Sequence, residues 1–116
     1  MMFLSVSEQN FAEEVLESSV PVLVNFWAPW CGLCRAINPL LTRFQAEWGE
    51  QNIKMVSINA DESLRLASMY RLTTLPTILV FGGGKVMHRI DSFHGRDDFR
   101  RALENIMTSS LDPVRS

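Results

Sequence analysis

One stretch constrains this chain more than any other: Val22-Leu23-Val24-Asn25-Phe26-Trp27-Ala28, followed at once by Trp30-Cys31-Gly32-Leu33-Cys34-Arg35. The first half is a run of buried-strand character. After the second half, Ile37, Leu40, Leu41, Phe44 and Trp48 recur at helical spacing. The chain must therefore pass from strand to helix through a short turn that carries its only two cysteines, Cys31 and Cys34. With two residues between them, a turn at the start of a helix brings the sulfurs within disulfide reach. Such a spacing, in that setting, reads as a dithiol redox site. The helix start supplies unpaired N–H groups and the positive end of the macrodipole, both of which stabilise a thiolate. The thiolate is the species that attacks a disulfide.

Length and charge narrow the rest. The 116 residues fit one domain, 1–116, with a substantial core. Formal net charge is −2 and no basic block stands out, which argues against nucleic acid as a partner. No segment approaches the roughly 20 apolar residues that a membrane helix needs. The opening Met1-Met2-Phe3-Leu4-Ser5-Val6 lacks the pattern of a secretory signal. Two cysteines this close would close a tiny loop and stabilise a fold poorly, so a catalytic dithiol in a reducing compartment is the better reading.

The chain carries no internal repeat, low-complexity tract or linker. Phe3–Val6 reads as a short first strand. Ser7 is expected to cap a helix that places Phe11, Ala12, Val15 and Leu16 on one face. A second strand runs from Pro21 to about Ala28, and a long helix from Cys31 to Trp48, which Pro39 is expected to kink. Ile53–Ile58 follows as strand, and Asp61–Tyr70 as a short helix carrying Leu64, Ala67 and Met69. Thr77–Phe81 and Val86–Ile90 form a hairpin across Gly82-Gly83-Gly84-Lys85. A last helix from about Asp97 turns Phe99, Ala102, Leu103 and Ile106 inward, and Thr108–Ser116 reads as a frayed tail. The six methionines are expected on core faces. The order βαβαβαββα implies an α/β fold, a mixed sheet with helices on both faces.

These residues resemble the thioredoxin family. The block from Val22 to Arg35 matches its active-site segment, Pro39 its helix proline, and Leu75-Pro76-Thr77 with Phe81 the segment where the family carries a cis-proline. Gly84-Lys85-Val86 matches its final hairpin, and the correspondence runs from about Ser5 to Met107. The resemblance implies a thioredoxin fold, a central five-stranded mixed sheet flanked by four helices. It implies protein-disulfide oxidoreductase activity with no bound cofactor and no metal. Cys31 would be the exposed nucleophile and Cys34 the more buried resolving thiol. Trp30, Gly32, Leu33, Leu75, Pro76, Ser92 and Phe93 would form the client surface, with the Leu75 backbone pairing an extended client segment. Client proteins with disulfides and a thioredoxin-reductase-type electron donor are the implied partners. The chain would act as a monomer in the cytoplasm, or in the plastid stroma if a transit peptide is removed.

Departures from the family pattern cluster around the dithiol. Leu33 stands where proline is usual, Asn25 where a buried aspartate is usual, and Ser57 where its accompanying lysine is usual. Asp91-Ser92-Phe93 replaces an apolar, glycine-containing loop. The family aspartate is proposed to shuttle the resolving cysteine's proton, and an amide at Asn25 cannot titrate. Asn25 also avoids a buried-charge penalty while keeping the shape of the acid. Asp91, beside the groove, would repel the Cys31 thiolate. Removing the aspartate's charge favours that thiolate, so a potential of about −260 to −220 mV is expected, above the −270 mV of thioredoxin itself. Trp27 reads as core packing, and His88 and His94 as surface residues. Two other classes of function stay open on the residues alone. One is a redox-regulated or low-activity interaction module, and the other a metal- or cluster-bridged dimer using Cys31 and Cys34 of each chain.

Overall fold

The computed structural model describes residues 3–48 and 53–110. Five strands form one sheet: β1 (Leu4–Ser5), β2 (Val22–Trp27), β3 (Lys54–Asn59), β4 (Thr77–Gly82) and β5 (Lys85–Ile90). Their spatial order is β1-β3-β2-β4-β5. The β1/β3 and β2/β3 pairs are parallel, whereas β2/β4 and β4/β5 are antiparallel, so the sheet is mixed as expected. The helices are α1 (Gly32–Trp48), α2 (Leu64–Met69) and α3 (Gly95–Ser110), preceded by a π-helical segment at Ala12–Leu16.

Strand β2 is central, and both of its faces are covered. Val22, Val24 and Phe26 join Val6, Phe11, Val15, Val56, Ile58, Leu66, Leu79 and Phe81 in one apolar cluster. Leu23 points the opposite way, into a cluster with Ile37, Leu41 and Phe44 of α1 and Phe99, Leu103, Ile106 and Met107 of α3. Side chains alternate along a strand, so Asn25 and Trp27 share the α1-facing side with Leu23. Burial on both faces is why this strand reads as a continuous apolar run instead of alternating. Fully burying each Phe, Leu, Ile or Val contributes about 1.5–3 kcal/mol.

The β4–β5 hairpin turns at Gly83 and Gly84, whose φ angles of 60° and 82° suit the tight primed turns that join such strands. A Cβ on Gly84 would also lie 3.2 Å from the Leu16 carbonyl oxygen, so glycine serves both backbone and contact there.

Several expectations need correction. Ser7 does not cap the first helix; its N–H donates to Asn10 Oδ1 at 2.8 Å, and the π-helical segment starts beyond it with no side-chain cap. Phe11 and Val15 are buried there, but Ala12 is exposed and Leu16 only half-buried. Lys54 of β3 pins this segment by pairing with Glu14, whose carbonyl it also meets at 2.9 Å. The stretch expected as one helix from Asp61 splits into a 3₁₀ turn (Ala60–Glu62) and α2. Its inward residue is Leu66, while Leu64 and Met69 are 70% and 64% exposed. Met55 and Met107 lie in the core, but Met69 and Met87 do not. Helix α1 continues through Pro39, whose ring faces solvent, from Gly32 to Trp48. Helix α3 starts at Gly95, two residues early, where Asp98 Oδ2 accepts the His94 N–H at 2.7 Å. It extends to Ser110, so 108–110 is helical, and the rest of the proposed tail lies outside the described residues.

Candidate active site

The turn after β2 delivers both cysteines to the start of α1. The Cys31 N–H donates to the Ala28 carbonyl at 3.1 Å, and the Cys31 carbonyl accepts the Arg35 N–H at 3.3 Å, which opens the helix. Cys31 and Cys34 are joined in a disulfide with Cα atoms 5.3 Å apart, inside the usual span for such a bridge. The Cys34 N–H donates to Cys31 Sγ at 3.0 Å. That donor is one of the unpaired N–H groups of a helix start, and it supports negative charge on the sulfur when the bridge is open.

Cys31 does not stand open to solvent as expected. It is 5% exposed and Cys34 3%, because Ala28, Trp27 and Leu75 pack around the pair. What is exposed is the rim, with Trp30 at 67% and Leu33 at 49%. Trp30 is held in place: its indole N–H donates to Asp61 Oδ2 at 2.8 Å. Asp61 in turn has its backbone N–H accepted by Asn59 Oδ1 at 2.9 Å. Arg35 folds back so that Nη1 donates to the Pro29 carbonyl at 2.5 Å, and its guanidinium lies over Gly32.

Opposite the disulfide runs the segment before β4. The Leu75–Pro76 peptide is cis, and Cys31 Sγ lies 3.6 Å from the Leu75 carbonyl oxygen. Pro76 is buried and Leu75 half-buried. Thr77 follows, buried, its hydroxyl donating to the Thr74 carbonyl at 2.8 Å.

On the α1-facing side of β2, Asn25 is 5% exposed and its Oδ1 has no hydrogen-bond partner. Ser57 is its register partner on β3. Both line an open cavity of about 410 Å³ together with Phe3, Ser5, Trp27, Asn38, Leu41 and Thr42. Among the described residues, the cavity wall carries amides, hydroxyls and apolar groups but no ionisable side chain.

The loop after β5 behaves differently from expectation. Phe93 packs against Phe99 with centroids 4.8 Å apart and lies half-buried against the main core cluster, so packing is one of its roles. Ser92 is exposed. Asp91 pairs with Arg89, Nε to Oδ2 at 2.7 Å, which offsets the charge expected to oppose a Cys31 thiolate. Sequence reading missed the roles of Asp61 and Arg89, since both act through residues far away in the chain. The indole of Trp30 gave the one available signal, a donor that needs an acceptor.

A disulfide at a helix start, reached across a cis-proline from an exposed aromatic rim, defines a dithiol–disulfide oxidoreductase. Comparison with known proteins agrees. The Thioredoxin family profile matches residues 2–108. The chain is 42% identical over 91 residues to Thioredoxin 1 of Synechococcus elongatus, covering 78% of this chain and 81% of that protein. It is 42% identical over 90 residues to Thioredoxin of Synechocystis, covering 78% and 80%. With Thioredoxin M-type, chloroplastic, of Chlamydomonas reinhardtii it shares 51% over 81 residues, 70% of this chain but 57% of that protein's length. The chain belongs to the thioredoxin family, with Cys31–Cys34 as the redox pair of a thioredoxin-type protein-disulfide oxidoreductase.

Proposed function

We propose that Cys31 is the attacking thiolate and Cys34 the resolving thiol in the reduction of protein disulfides. Cys31 S⁻ attacks one sulfur of a client disulfide, forming a mixed disulfide and expelling the other client sulfur as thiolate. Cys34, once deprotonated, attacks Cys31 Sγ; the internal disulfide forms and the second client thiolate leaves. Two electrons pass from the dithiol to the client. The observation that carries this assignment is the Cys34 N–H to Cys31 Sγ hydrogen bond at the first turn of α1, which favours thiolate at Cys31 over Cys34. No resident cofactor takes part, and a thioredoxin-reductase-type dithiol donor restores the reduced form.

The client lies as an extended segment along Leu75 and Pro76, between the Trp30–Leu33 rim and Ser92. The free backbone groups of Leu75 pair with it, a mode that accepts many sequences. No helix of the described residues is long and apolar enough to cross a membrane. A monomer working in a bacterial cytoplasm or a plastid stroma fits the named relatives and the net charge of −2.

The test is the midpoint potential of the Cys31–Cys34 couple measured beside insulin-disulfide reduction on the same sample. A value of about −260 to −220 mV with turnover is expected, and one below about −280 mV, past the thioredoxin figure, contradicts the account of Asn25. Asn25 supplies a second expectation. In Asn25→Asp a carboxyl group replaces the amide beside the cavity, able to take the Cys34 proton, and turnover rises about tenfold. Burial favours its neutral form and raises its pKa. Unfolded, it ionises near 3.9, so the folded state holds the extra proton above that pH. The variant therefore matches the parent's melting temperature below about pH 4 and falls progressively behind as pH rises. Unchanged turnover, or a melting gap that closes with rising pH, overturns this role.

A further inference from the structure

We infer that Arg89 is a positioning residue for the client groove, and that its guanidinium fixes the distance between the groove's two walls. Nε donates to Asp91 Oδ2 at 2.7 Å, Nη1 to the Tyr70 carbonyl at 2.7 Å, and Nη2 to the Arg71 carbonyl at 2.8 Å. One planar cation thus binds two segments that are remote in sequence. The first leads from α2 into Leu75 and Pro76; the second leads from β5 into Ser92.

The acceptors on the first segment are not incidental. Helix α2 ends in a paired-carbonyl cap: the Arg71 N–H donates to the Ser68 carbonyl at 3.1 Å and the Leu72 N–H to the Ala67 carbonyl at 2.9 Å. The residue at the left-handed position of such a cap is usually glycine, but here it is Arg71, at φ 53°. That conformation is unfavourable for a residue with a Cβ, so it persists only where its surroundings hold it. The Tyr70 carbonyl, at the C-cap, belongs to the negative end of the helix and the Arg71 carbonyl follows it, and a guanidinium is suited to the pair in charge and shape. Arg89 therefore holds the strained corner from which the chain runs four residues to Leu75, whose carbonyl lies 3.6 Å from Cys31 Sγ. Asp91 keeps the guanidinium plane in orientation by accepting Nε.

This inference rests on the reading of Leu75 and Ser92 as the two sides of a client groove. It predicts that Arg89 governs client binding more than the chemical steps, since the guanidinium touches neither sulfur. The experiment compares wild type, Arg89→Met and Arg89→Lys in insulin reduction, with dithiothreitol as electron source, under conditions where circular dichroism shows each protein folded. A lysine keeps the charge but is a point donor that cannot span three acceptors. Both variants are expected to raise KM for insulin about tenfold, the worth of one charge-assisted hydrogen bond, with kcat within about threefold of wild type. Amide hydrogen exchange at Leu72, whose N–H is bonded to the Ala67 carbonyl, should rise in parallel. If Arg89→Met does not fold, Arg89→Lys decides alone. A lowered melting temperature with wild-type KM and wild-type exchange at Leu72 would show a merely structural residue and overturn the inference. Failure of the wild-type protein to reduce insulin would instead overturn the groove reading beneath it.

Discussion

Cys34→Ser is expected to convert a turnover catalyst into a trap. Cys31 can still attack, because its support comes from the backbone N–H of residue 34, which serine retains. The second displacement cannot occur, since a serine hydroxyl stays protonated near neutral pH and is a poor nucleophile for sulfur. Insulin reduction should fall by about a thousandfold or more, about 4 kcal/mol of transition-state stabilisation. A covalent adduct with a client should accumulate on a non-reducing gel and disappear with dithiothreitol. Cys31→Ser should lose activity as deeply and accumulate no adduct. An adduct from Cys31→Ser but not from Cys34→Ser would reverse the two roles.

The largest effect on stability is expected from Phe81→Ala. Phe81 is 1% exposed on β4 and meets Phe11 edge-on at 5.7 Å and Tyr70 edge-on at 5.4 Å. Phe11 and Tyr70 also touch, with centroids 5.8 Å apart, so three rings from three parts of the chain form one cluster. Burial there pushes the Tyr70 phenol up from its ordinary value. Truncation to alanine removes the transfer energy of the ring and leaves a cavity in a close-packed site. It should cost about 3–5 kcal/mol. With a urea slope of about 1–3 kcal/mol per molar, the unfolding midpoint should drop by about 2 M. A loss under about 1 kcal/mol would mean that the site collapses freely and the cluster is not a keystone.

What the chain discloses from its sequence depends on the range of the interaction. Val22–Trp27 and the helix after it are legible because each residue's partner type is set by local periodicity, and both faces of β2 demand apolar side chains. The Gly83–Gly84 turn is legible for the same reason, since positive φ selects glycine. The cysteines are legible because their spacing and their chemistry coincide. The start of the first helix was not: Ser7 is a good cap by type, but its hydroxyl accepts the Gln9 N–H in a turn, and the π-helical segment begins only at Ala12, with Phe11 as its N-cap. Helix α2 is too short for its apolar pattern to reveal a face, and Leu64, Leu66 and Met69 compete for a single inward position that Leu66 wins. The resemblance places Phe93 in the groove but does not show that its ring also packs on Phe99, a partner six residues away across the start of α3. Asp61 and Arg89 carry bonds across 31 and 19 residues of chain, which no window of sequence contains.

The two-residue β1 has a consequence for how copies of this protein coexist at high concentration. Strand β3 offers a row of backbone donors and acceptors on its outer side, and among the described residues only Leu4, Ser5 and the Val6 N–H engage it there. Beneath that cover lie Val56 and Ile58, both fully buried and strongly strand-forming. Leu4, Ser5 and Val6 therefore act as a bumper against lateral sheet growth. Peeling them away would bare an apolar strand edge, the template on which β-rich proteins stick to one another.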